Sequence, residues 1–524
     1  MPDRLDPARV RALAERLVAV PSVSPDPAGE SACADALLEA LPAGLESGTW
    51  ALPDGRRTIW ALLRGRSPRT VLLLGHLDTV GVGEYAALGA EEGERIAFAP
   101  EALRSRLLVA GRGHPSPLVR GDVDEESRNP ATWLFGRGAL DMKAGLAAGV
   151  AALEDLASRR DALEGSVLFV ACPDEENASA GITAALPELL RLRDRAGLQM
   201  IGALNLDFGG EPVAWSGVVG KTRVGLWVLG DPTHASDPFG GVDAAQLAAE
   251  IVARATRGGE LVDRCDDRAG VPATVLRLRD LKDRYDAQTS LEAVVELNVL
   301  TFARSLGGTV EAVRDVAARS LAHLAWSMIE LSNLTRHHLA RDLRTDAPDR
   351  VLTWPELLGR AGKGPDFDPL EGAAIAVEDS RGATLERVRR LAREAELRGP
   401  AVVIYVLPPW YPAAAPGDGP LPRAAREVLA REGIDMRPYY PHISDASYLA
   451  WRAEPVSSLA PLIPALGREY HLPAEEARAL DLDVVNLGPW GRDAHGLYER
   501  VHAPYAFDTL PRLIAEVVRR TVEP

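Results

Sequence analysis

Four segments of the chain share one pattern, in which a short run of apolar residues comes first and is then followed by acidic residues or histidine. The segments are TVLLLGHLDTV (70–80), SVLFVACPDEEN (166–177), MIGALNLDFGG (200–210) and DVVNLGPWGRDAH (483–495). Apolar runs of this length predict strands that are covered on both faces, as in a parallel or mixed α/β sheet. Ligands bind outside the carboxyl ends of the strands in such sheets. We therefore expect the polar residues that follow these four strands to converge on one site.

Helical periodicity separates the predicted strands. In DMKAGLAAGVAALEDLA (141–157), apolar residues recur every three or four positions from Leu146 to Leu156. A helix that begins near Asp141 would place this carboxylate where the helix dipole favours a negative charge. The alternation of strands and helices predicts an α/β fold with a mixed, mostly parallel sheet flanked by helices.

The pattern changes between residues 215 and 412, where strand-like runs such as EAVVELNVLTFARS stand beside long helical repeats. This α+β block interrupts the four-strand series, so we predict a second domain inserted into the first. The catalytic domain is then formed by residues 1–214 and 413–524, with the inserted domain at 215–412. Long surface loops are expected at 84–131 and 343–372.

Composition is that of an ordinary soluble globular chain, and it excludes several classes of partner. Lys plus Arg number 59 against 75 Asp plus Glu, so no basic surface is expected to bind a nucleic acid or an anionic membrane. No run of 18 apolar residues and no signal-peptide pattern occurs, and the three cysteines form no C-x-x-C pair. We expect a cytoplasmic protein that acts on a small molecule.

The residues that follow the predicted strands are of the types that bind divalent metal ions. They are His76, Asp78, Asp141, Glu175, Glu176, Asp207 and His495. Imidazole and carboxylate together suit zinc or a similar ion, and one carboxylate shared between two ions gives a paired-metal site. Two such ions would also neutralise residues 174–176, a run of three carboxylates that is costly at the end of a buried strand. Each of these short motifs on its own most often occurs without binding a metal ion, so the prediction of a metal site rests on their combination.

Four motifs, LLLGHLDTV, LFGRGALDMKAGLAAGV, PDEE and GRDAHGLYERV, resemble the signature segments of the co-catalytic di-zinc metallopeptidases. That family includes aminoacylase, carboxypeptidase G, acetylornithine deacetylase and succinyl-diaminopimelate desuccinylase. NLGPWGRDAHGLYERV and YYPHISDASYLAW are most similar to its arginine-utilisation, RocB-type branch. The resemblance implies a zinc-exopeptidase-like fold with an inserted lid or dimerisation domain. It is weak in 84–131 and 340–400, which look enlarged.

Carried over residue by residue, the resemblance implies two metal sites that share Asp141. His76 and Asp207 would complete one site, whereas Glu176 and His495 would complete the other. The implied cofactors are two divalent ions, zinc in the first place, with manganese or cobalt as alternatives.

The resemblance also implies catalytic roles. Asp78 would orient the ring of His76, a common arrangement at metal sites. Glu175 would be the general base, taking a proton from the attacking water and passing it to the departing amine. His234, in GDPTHASDPFGG, resembles the histidine that stabilises the oxyanion, which in dimeric relatives reaches the active site of the partner subunit. The resemblance therefore leaves two alternatives, a homodimer formed through the inserted domain, or a monomer if the long inserts cover that surface.

One departure from the family concerns the substrate's carboxylate. Relatives often hold this group with an arginine in a strand of the inserted domain, but the aligned position here is Asn298, and Arg304 or Arg284 could substitute. The sequence predicts a metal-dependent hydrolase of amide bonds in N-acyl amino acids or short peptides, with a link to arginine or ornithine catabolism. Deacylase and dipeptidase activities both remain open. The alternative is a non-catalytic, metal-binding member of the fold that serves as a binding or regulatory module.

Overall fold

The computed structural model describes residues 5–89, 93–265, 268–337, 350–371, 380–452 and 455–523. The chain divides into two compact units. Unit 1 comprises residues 1–218, 414–452 and 473–524, and unit 2 comprises residues 219–413 and 453–472.

The secondary structure of the described residues alternates strands and helices over most of the chain. The strands are β1 (Glu46–Ala51), β2 (Arg57–Leu63), β3 (Arg69–His76), β4 (Trp133–Phe135), β5 (Ser166–Cys172), β6 (Gln199–Asn205), β7 (Ala214–Val218), β8 (Gly220–Leu229), β9 (Arg264–Cys265), β10 (Arg268–Ala269), β11 (Thr274–Asp280), β12 (Glu292–Thr301), β13 (Val351–Thr353), β14 (Ala401–Tyr411), β15 (Met436–Tyr440), β16 (Val484–Asn486), β17 (Gly491–Arg492) and β18 (Arg500–His502). The α-helices are α1 (Pro7–Val18), α2 (Pro27–Ala40), α3 (Pro100–Ala110), α4 (Pro117–Arg128), α5 (Ala144–Ser158), α6 (Ala180–Ala196), α7 (Ala244–Arg257), α8 (Leu306–Thr335), α9 (Trp354–Arg360), α10 (Ser380–Glu394), α11 (Pro420–Arg431), α12 (Val456–Leu459), α13 (Ala474–Leu480) and α14 (Leu510–Val522).

Unit 1 is built on a sheet that, in the described residues, has eight strands in the order β1-β2-β5-β3-β6-β16-β7-β15. The four strands predicted from the sequence, β5, β3, β6 and β16, are adjacent and parallel to one another. The pairs β1–β2, β2–β5 and β16–β7 are antiparallel. The predicted mixed α/β sheet flanked by helices is thus confirmed, and the carboxyl ends of its four central strands lie at one edge.

Side-chain alternation explains why the central strands are apolar throughout. Val71 and Leu73 of β3 join a core that includes Leu146 of α5 and Val517 of α14. Leu72, which points to the opposite face of the sheet, is fully buried as well. A strand covered on both faces has no position left for a polar side chain until it ends. Full burial of each such side chain contributes about 1.5–3 kcal/mol to folding.

A small sheet in the order β17-β18-β4 completes unit 1. Strands β17 and β18 form an antiparallel hairpin, and β18 pairs antiparallel with β4. The loop of this hairpin, residues 493–499, carries His495.

The prediction of a long surface loop at 84–131 is wrong, because this segment contains the helices α3 and α4. Leu103 and Leu107 of α3 and Val123 of α4 are buried in a core with Trp133. Leu103 and Leu107 are four residues apart, which is a helical spacing. The segment has few apolar residues among many charged ones, so its sequence pattern is a weak indication of a helix.

The second predicted loop, 343–372, lies partly outside the described residues. Within 350–371, β13 and α9 form regular structure, which corrects the prediction there. Thr353 caps α9. Its side chain accepts a hydrogen bond from the backbone N–H of Glu356, and the side chain of Glu356 accepts one from the backbone N–H of Thr353. Such a capping box begins a helix within a segment that reads as polar and irregular.

Unit 2 is an α+β unit with a five-stranded sheet in the order β11-β12-β8-β14-β13, as far as the described residues show. Neighbouring strands are antiparallel except for β13 and β14. The long helix α8 and the helices α7, α9 and α10 also belong to this unit. No helix among the described residues combines the length and apolar character needed to cross a membrane.

The unit boundaries fall after Val218 and Ala413, compared with the predicted 214 and 412. Residues 453–472 differ more, because they belong to unit 2 and not to the catalytic domain as the sequence analysis assigned them.

Long-range polar contacts explain the assignment of residues 453–472. Glu469 pairs with Arg387, and Tyr470 Oη accepts a hydrogen bond from the backbone N–H of Trp410 at 3.2 Å. Glu469 and Arg387 are separated by 82 positions in the sequence, and Tyr470 and Trp410 by 60. Hydrophobic periodicity carries no information about contacts of this kind.

Candidate metal centre

The predicted metal ligands of unit 1 stand where strands end. His76 is the last residue of β3, Glu175 and Glu176 lie just beyond β5, and Asp207 lies just beyond β6. Because β5, β3 and β6 are parallel neighbours, their carboxyl ends bring these segments to one place. Asp141 reaches the same place from the turn that precedes α5.

Two groups of ligand atoms form there, and Asp141 belongs to both. The first group unites Asp141 with His76 and Asp207, the second unites it with Glu176 and His495, and within each group the ligand atoms lie within 4.8 Å of one another. Asp141 Oδ1 is 3.0 Å from His76 Nε2, and Asp141 Oδ2 is 3.0 Å from His495 Nε2. One oxygen of the shared carboxylate therefore faces each group, which is the geometry of a carboxylate that bridges two ions.

The donor set and its burial fit divalent metal ions. Each group offers one imidazole nitrogen and two carboxylates, the ligand types that zinc and its neighbours prefer. His76, Asp141 and Asp207 are buried. Burial and the nearby charge of Asp141 raise the pKa of Asp207 to about 7. A bound dication would balance these buried negative charges.

Asp78 links one ligand to the segment that carries the predicted base. Its Oδ1 accepts a hydrogen bond from the backbone N–H of Glu175 at 3.1 Å, and its Oδ2 accepts one from that of Glu176 at 3.0 Å. The same carboxylate lies 3.5 Å from Nδ1 of His76. One fully buried side chain therefore touches the ring of a ligand and holds the backbone of the next strand end. The two backbone bonds were not anticipated from the sequence.

The three adjacent carboxylates of residues 174–176 are separated by the backbone. Asp174 has a φ of 70°, in the left-handed region, and its Oδ1 lies 2.5 Å from Nη1 of Arg56. The buried Glu30 shares the same guanidinium at 3.1 Å. Asp174 is thus balanced by an arginine, while Glu175 and Glu176 remain at the metal centre. Sequence reasoning missed Arg56 and Glu30, because nothing local connects them to this turn.

A second buried network holds the backbone of Asp141. Glu499 Oε1 accepts hydrogen bonds from the N–H groups of Leu140 (3.1 Å) and Asp141 (3.3 Å), and its Oε2 accepts one from Arg137 Nη1 at 2.5 Å. Burial raises the pKa of Glu499 to about 7, although Arg137 opposes that rise. Both residues were missed, yet they lie inside two motifs that the sequence analysis singled out, GRGALDMK and GLYERV.

Side chains from the late part of unit 1 surround Asp207. Asn486 Nδ2 donates to the backbone carbonyl of Asp207 at 2.8 Å, and the ring of His442 lies 4.7 Å from that of Phe208. These contacts fix the strand end that carries Asp207.

The remaining predicted site residues belong to unit 2. His234 is exposed, with Nδ1 2.7 Å from Ser236 Oγ. Arg284 lies in an exposed loop between β11 and β12. Their predicted roles at the substrate stay predictions.

Asn298 and Arg304 have different surroundings within unit 2. Asn298 lies on β12, and its Oδ1 is buried without a hydrogen-bond partner among the described residues. Arg304 Nη2 lies 3.3 Å from the carbonyls of both Glu260 and Val262, so part of its guanidinium holds a neighbouring turn. Their predicted contacts with substrate are likewise predictions.

Comparisons with known proteins show what this chain is similar to. The sequence model of peptidase family M20/M25/M40 matches residues 119–486. The uncharacterized protein YqjN of Bacillus subtilis (strain 168) is 30% identical over 492 residues, covering 88% of this chain and 86% of YqjN. Protein RocB of the same organism is 27% identical over 558 residues, covering 98% of this chain and 95% of RocB. A solved tripeptidase from Staphylococcus aureus covers 99% of both chains with a TM-score of 0.54 and 14% identity, a likeness of fold alone.

Proposed function

Because the chain belongs to peptidase family M20/M25/M40, whose members are hydrolases, we propose that it uses two divalent ions to hydrolyse amide bonds in small molecules. The substrates are N-acyl amino acids or short peptides. The observation that carries the proposal is the position of Asp141, because one of its oxygens faces each group of ligand atoms.

Five side chains would hold the two ions. His76 and Asp207 would bind one, Glu176 and His495 the other, and Asp141 would bind both. When bound, the ions would polarise the substrate carbonyl and lower the pKa of the attacking water. Zinc suits this mixed set of nitrogen and oxygen ligands best, with manganese and cobalt as alternatives.

Glu175 is the residue that would move the proton. Its backbone is held by Asp78, and burial raises the pKa of its carboxyl, which makes the carboxylate a stronger base. Glu175 takes a proton from the attacking water as the new C–O bond forms. It then gives that proton to the departing amine as the amide C–N bond breaks. Its neighbour Glu176 faces the imidazole of His495 at 3.0 Å, so adjacent residues divide proton transfer and metal binding.

The finer assignments complete the proposal. The extended similarity to RocB, together with the sequence resemblance, supports a link to arginine or ornithine catabolism. His234 would stabilise the oxyanion, in a homodimer formed through unit 2. Asn298, Arg304 or Arg284 would contact the polar end of the substrate.

The test is amine release by zinc- or manganese-loaded protein from N-acetyl, N-succinyl and N-formyl amino acids and from dipeptides, weighted toward arginine and ornithine. Glu175→Gln should abolish turnover while two ions remain bound per chain. The matched control is Glu188→Gln on α6, a half-buried residue that pairs with Arg191 and should leave turnover unchanged. Metal content is measured on the same samples.

Each result has a distinct meaning. Turnover that survives Glu175→Gln would contradict the role of this base. Two bound ions without turnover across the panel would favour the alternative, a metal-binding module. Preference for acyl amino acids or for dipeptides would decide between deacylase and dipeptidase.

A further inference from the structure

The hairpin that carries His495 is bonded to the helical segment formed by residues 93–135, here called the α3–α4 insert. Its last strand, β4, pairs with β18, so that Phe135 lies opposite Arg500 and Leu134 opposite Val501. Residues 93–131 of the insert lie where the family resemblance is weak and where the sequence predicted a loop, whereas Leu134 and Phe135 begin one of the signature motifs.

One acidic residue of the insert binds both arms of the hairpin. Asp122 of α4 lies 2.5 and 2.6 Å from Nη1 of Arg492, which belongs to β17. The same carboxylate accepts a hydrogen bond from Nε of Arg500, in β18, at 2.8 Å. Asp122 and Arg500 are buried. The two arginines stand on either side of the loop 493–499, so the carboxylate closes the base of that loop like a clamp.

An aromatic ring from the insert reinforces this clamp. The guanidinium carbons of Arg492 and Arg500 lie 5.7 and 5.6 Å from the centre of the Trp133 ring. Glu126, on the same helix as Asp122, accepts a hydrogen bond from the backbone N–H of Trp133 at 2.9 Å. Cation–π contacts and charged hydrogen bonds therefore act on the same two arginines.

The loop that the clamp closes has an unusual backbone. Asp493 and His495 have φ values of 58° and 64°, in the left-handed region that residues other than glycine seldom occupy. Such conformations persist where the surroundings hold them. Arg500 Nη1 binds both Asp493 Oδ2 (2.5 Å) and the carbonyl of Tyr498 (2.8 Å), so the clamped arginine itself shapes the loop.

We propose that Asp122 is a positioning residue for His495, and that the α3–α4 insert thereby sets the affinity of one of the two metal sites. The inference rests on the proposed two-metal function. Its consequence is selective: the ion held by Asp141, Glu176 and His495 depends on the insert. The ion held by His76, Asp141 and Asp207 should depend on the insert less, because the loop reaches that site indirectly, through Glu499 and the backbone of Asp141.

The experiment compares Asp122→Asn with the wild type by competitive zinc titration against a chromophoric chelator, which reports stoichiometry and both affinities without turnover. One of the two affinities should fall by about 10- to 100-fold, as is usual when a partner of a metal ligand is lost, while the other falls less. Raising the zinc concentration should restore kcat, which a general loss of structure would not allow. Asp124→Asn is the matched control, because Asp124 lies exposed on the same helix.

A second variant keeps the test decisive if Asp122→Asn does not fold. Arg492→Gln releases only one arm and leaves the buried pair of Asp122 and Arg500 in place. It should lower the same single affinity.

Two failures can be told apart. A wild type that binds fewer than two ions would contradict the proposed function. A wild type that binds two, with both affinities unchanged in a folded Asp122→Asn or Arg492→Gln protein, would overturn the positioning role.

Discussion

Asp141 is the residue on which the two groups of ligand atoms depend together. Its two oxygens face different histidines, and its backbone N–H is held by the buried Glu499. The other ligands, such as Asp207 and Glu176, belong to one group each. Asp141 should therefore affect the binding of both ions, whereas each of the other ligands should affect the binding of one.

Asp141→Asn should lower the affinity for both ions, whereas Glu176→Gln should lower it for one. An amide bridges two cations poorly because only one of its two terminal atoms is an acceptor. Zinc titration of the three proteins measures the difference, with Asp155→Asn as the control, because Asp155 of α5 pairs with Arg159 and belongs to neither ligand group. Equal effects of the two substitutions would argue against a shared ligand.

Asp78→Asn should reduce kcat/KM by about 10- to 100-fold, a typical loss for a residue that supports a metal ligand. The carboxylate accepts from the backbone N–H groups of Glu175 and Glu176 through different oxygens, and the amide can accept through only one atom. Steady-state kinetics with a substrate found in the panel measures the effect. An unchanged kcat/KM would show that these backbone bonds are dispensable.

Among the elements, strands of unit 1 were predictable and several contacts between elements were not. The four central strands could be found because each contains a short apolar run, and metal-binding residue types follow β3, β5 and β6 closely. Asp141, in the turn before α5, and His495, in the hairpin of β17 and β18, were assigned as ligands through the family resemblance. Asp122, Glu499 and Arg56 escaped prediction because their partners are distant along the chain. Helices α3 and α4 were not predicted from the sequence because the apolar stripe along each helix is narrow.

The turn between β12 and α8 in unit 2 offers a test of stability at this scale. Asp263 Oδ2 accepts hydrogen bonds from the backbone N–H groups of Phe302, Ala303 and Arg304 at 2.7, 3.0 and 2.9 Å. Burial alone would raise the pKa of Asp263, but these bonds outweigh it and lower the pKa. Asp263→Asn should therefore lower the free energy of unfolding by about 1.5–3 kcal/mol at pH 7.

The sign of the pH dependence follows from the lowered pKa of Asp263. The contribution of a carboxylate whose pKa is lower in the folded state is fully present above its unfolded pKa of about 3.9. It is lost as the pH falls through the folded value. Urea denaturation at pH 7, 5 and 3 should show the wild-type advantage over Asp263→Asn shrinking at pH 3. A difference in stability between the wild type and Asp263→Asn that does not change with pH would contradict a stabilising role of the ionised Asp263 carboxylate.

At the scale of the whole molecule, the metal centre lies entirely in unit 1. Removal of the ions by EDTA should therefore lower the temperature at which unit 1 unfolds, because ligands that bind only the folded state stabilise it by mass action. An ion present at 100 times its Kd contributes about 2.7 kcal/mol. Differential scanning calorimetry, with zinc restored as the control, measures the shift. Unfolding that is insensitive to EDTA would mean that the ions contribute little to folding.

The place where the chain leaves unit 1 has a consequence for how the protein can change in evolution. Val218 and Ala414 form an antiparallel bridge, with N···O distances of 2.8 and 2.9 Å in the two directions. The chain leaves unit 1 for the longer segment of unit 2, residues 219–413, and returns at this pair of residues, whereas the shorter segment 453–472 joins unit 2 separately. Lengthening, shortening or exchanging what lies between them need not disturb the sheet that presents the metal ligands. In evolutionary terms this bridge is a point at which a lineage can exchange the segment 219–413 while it inherits the strands that carry the candidate metal ligands.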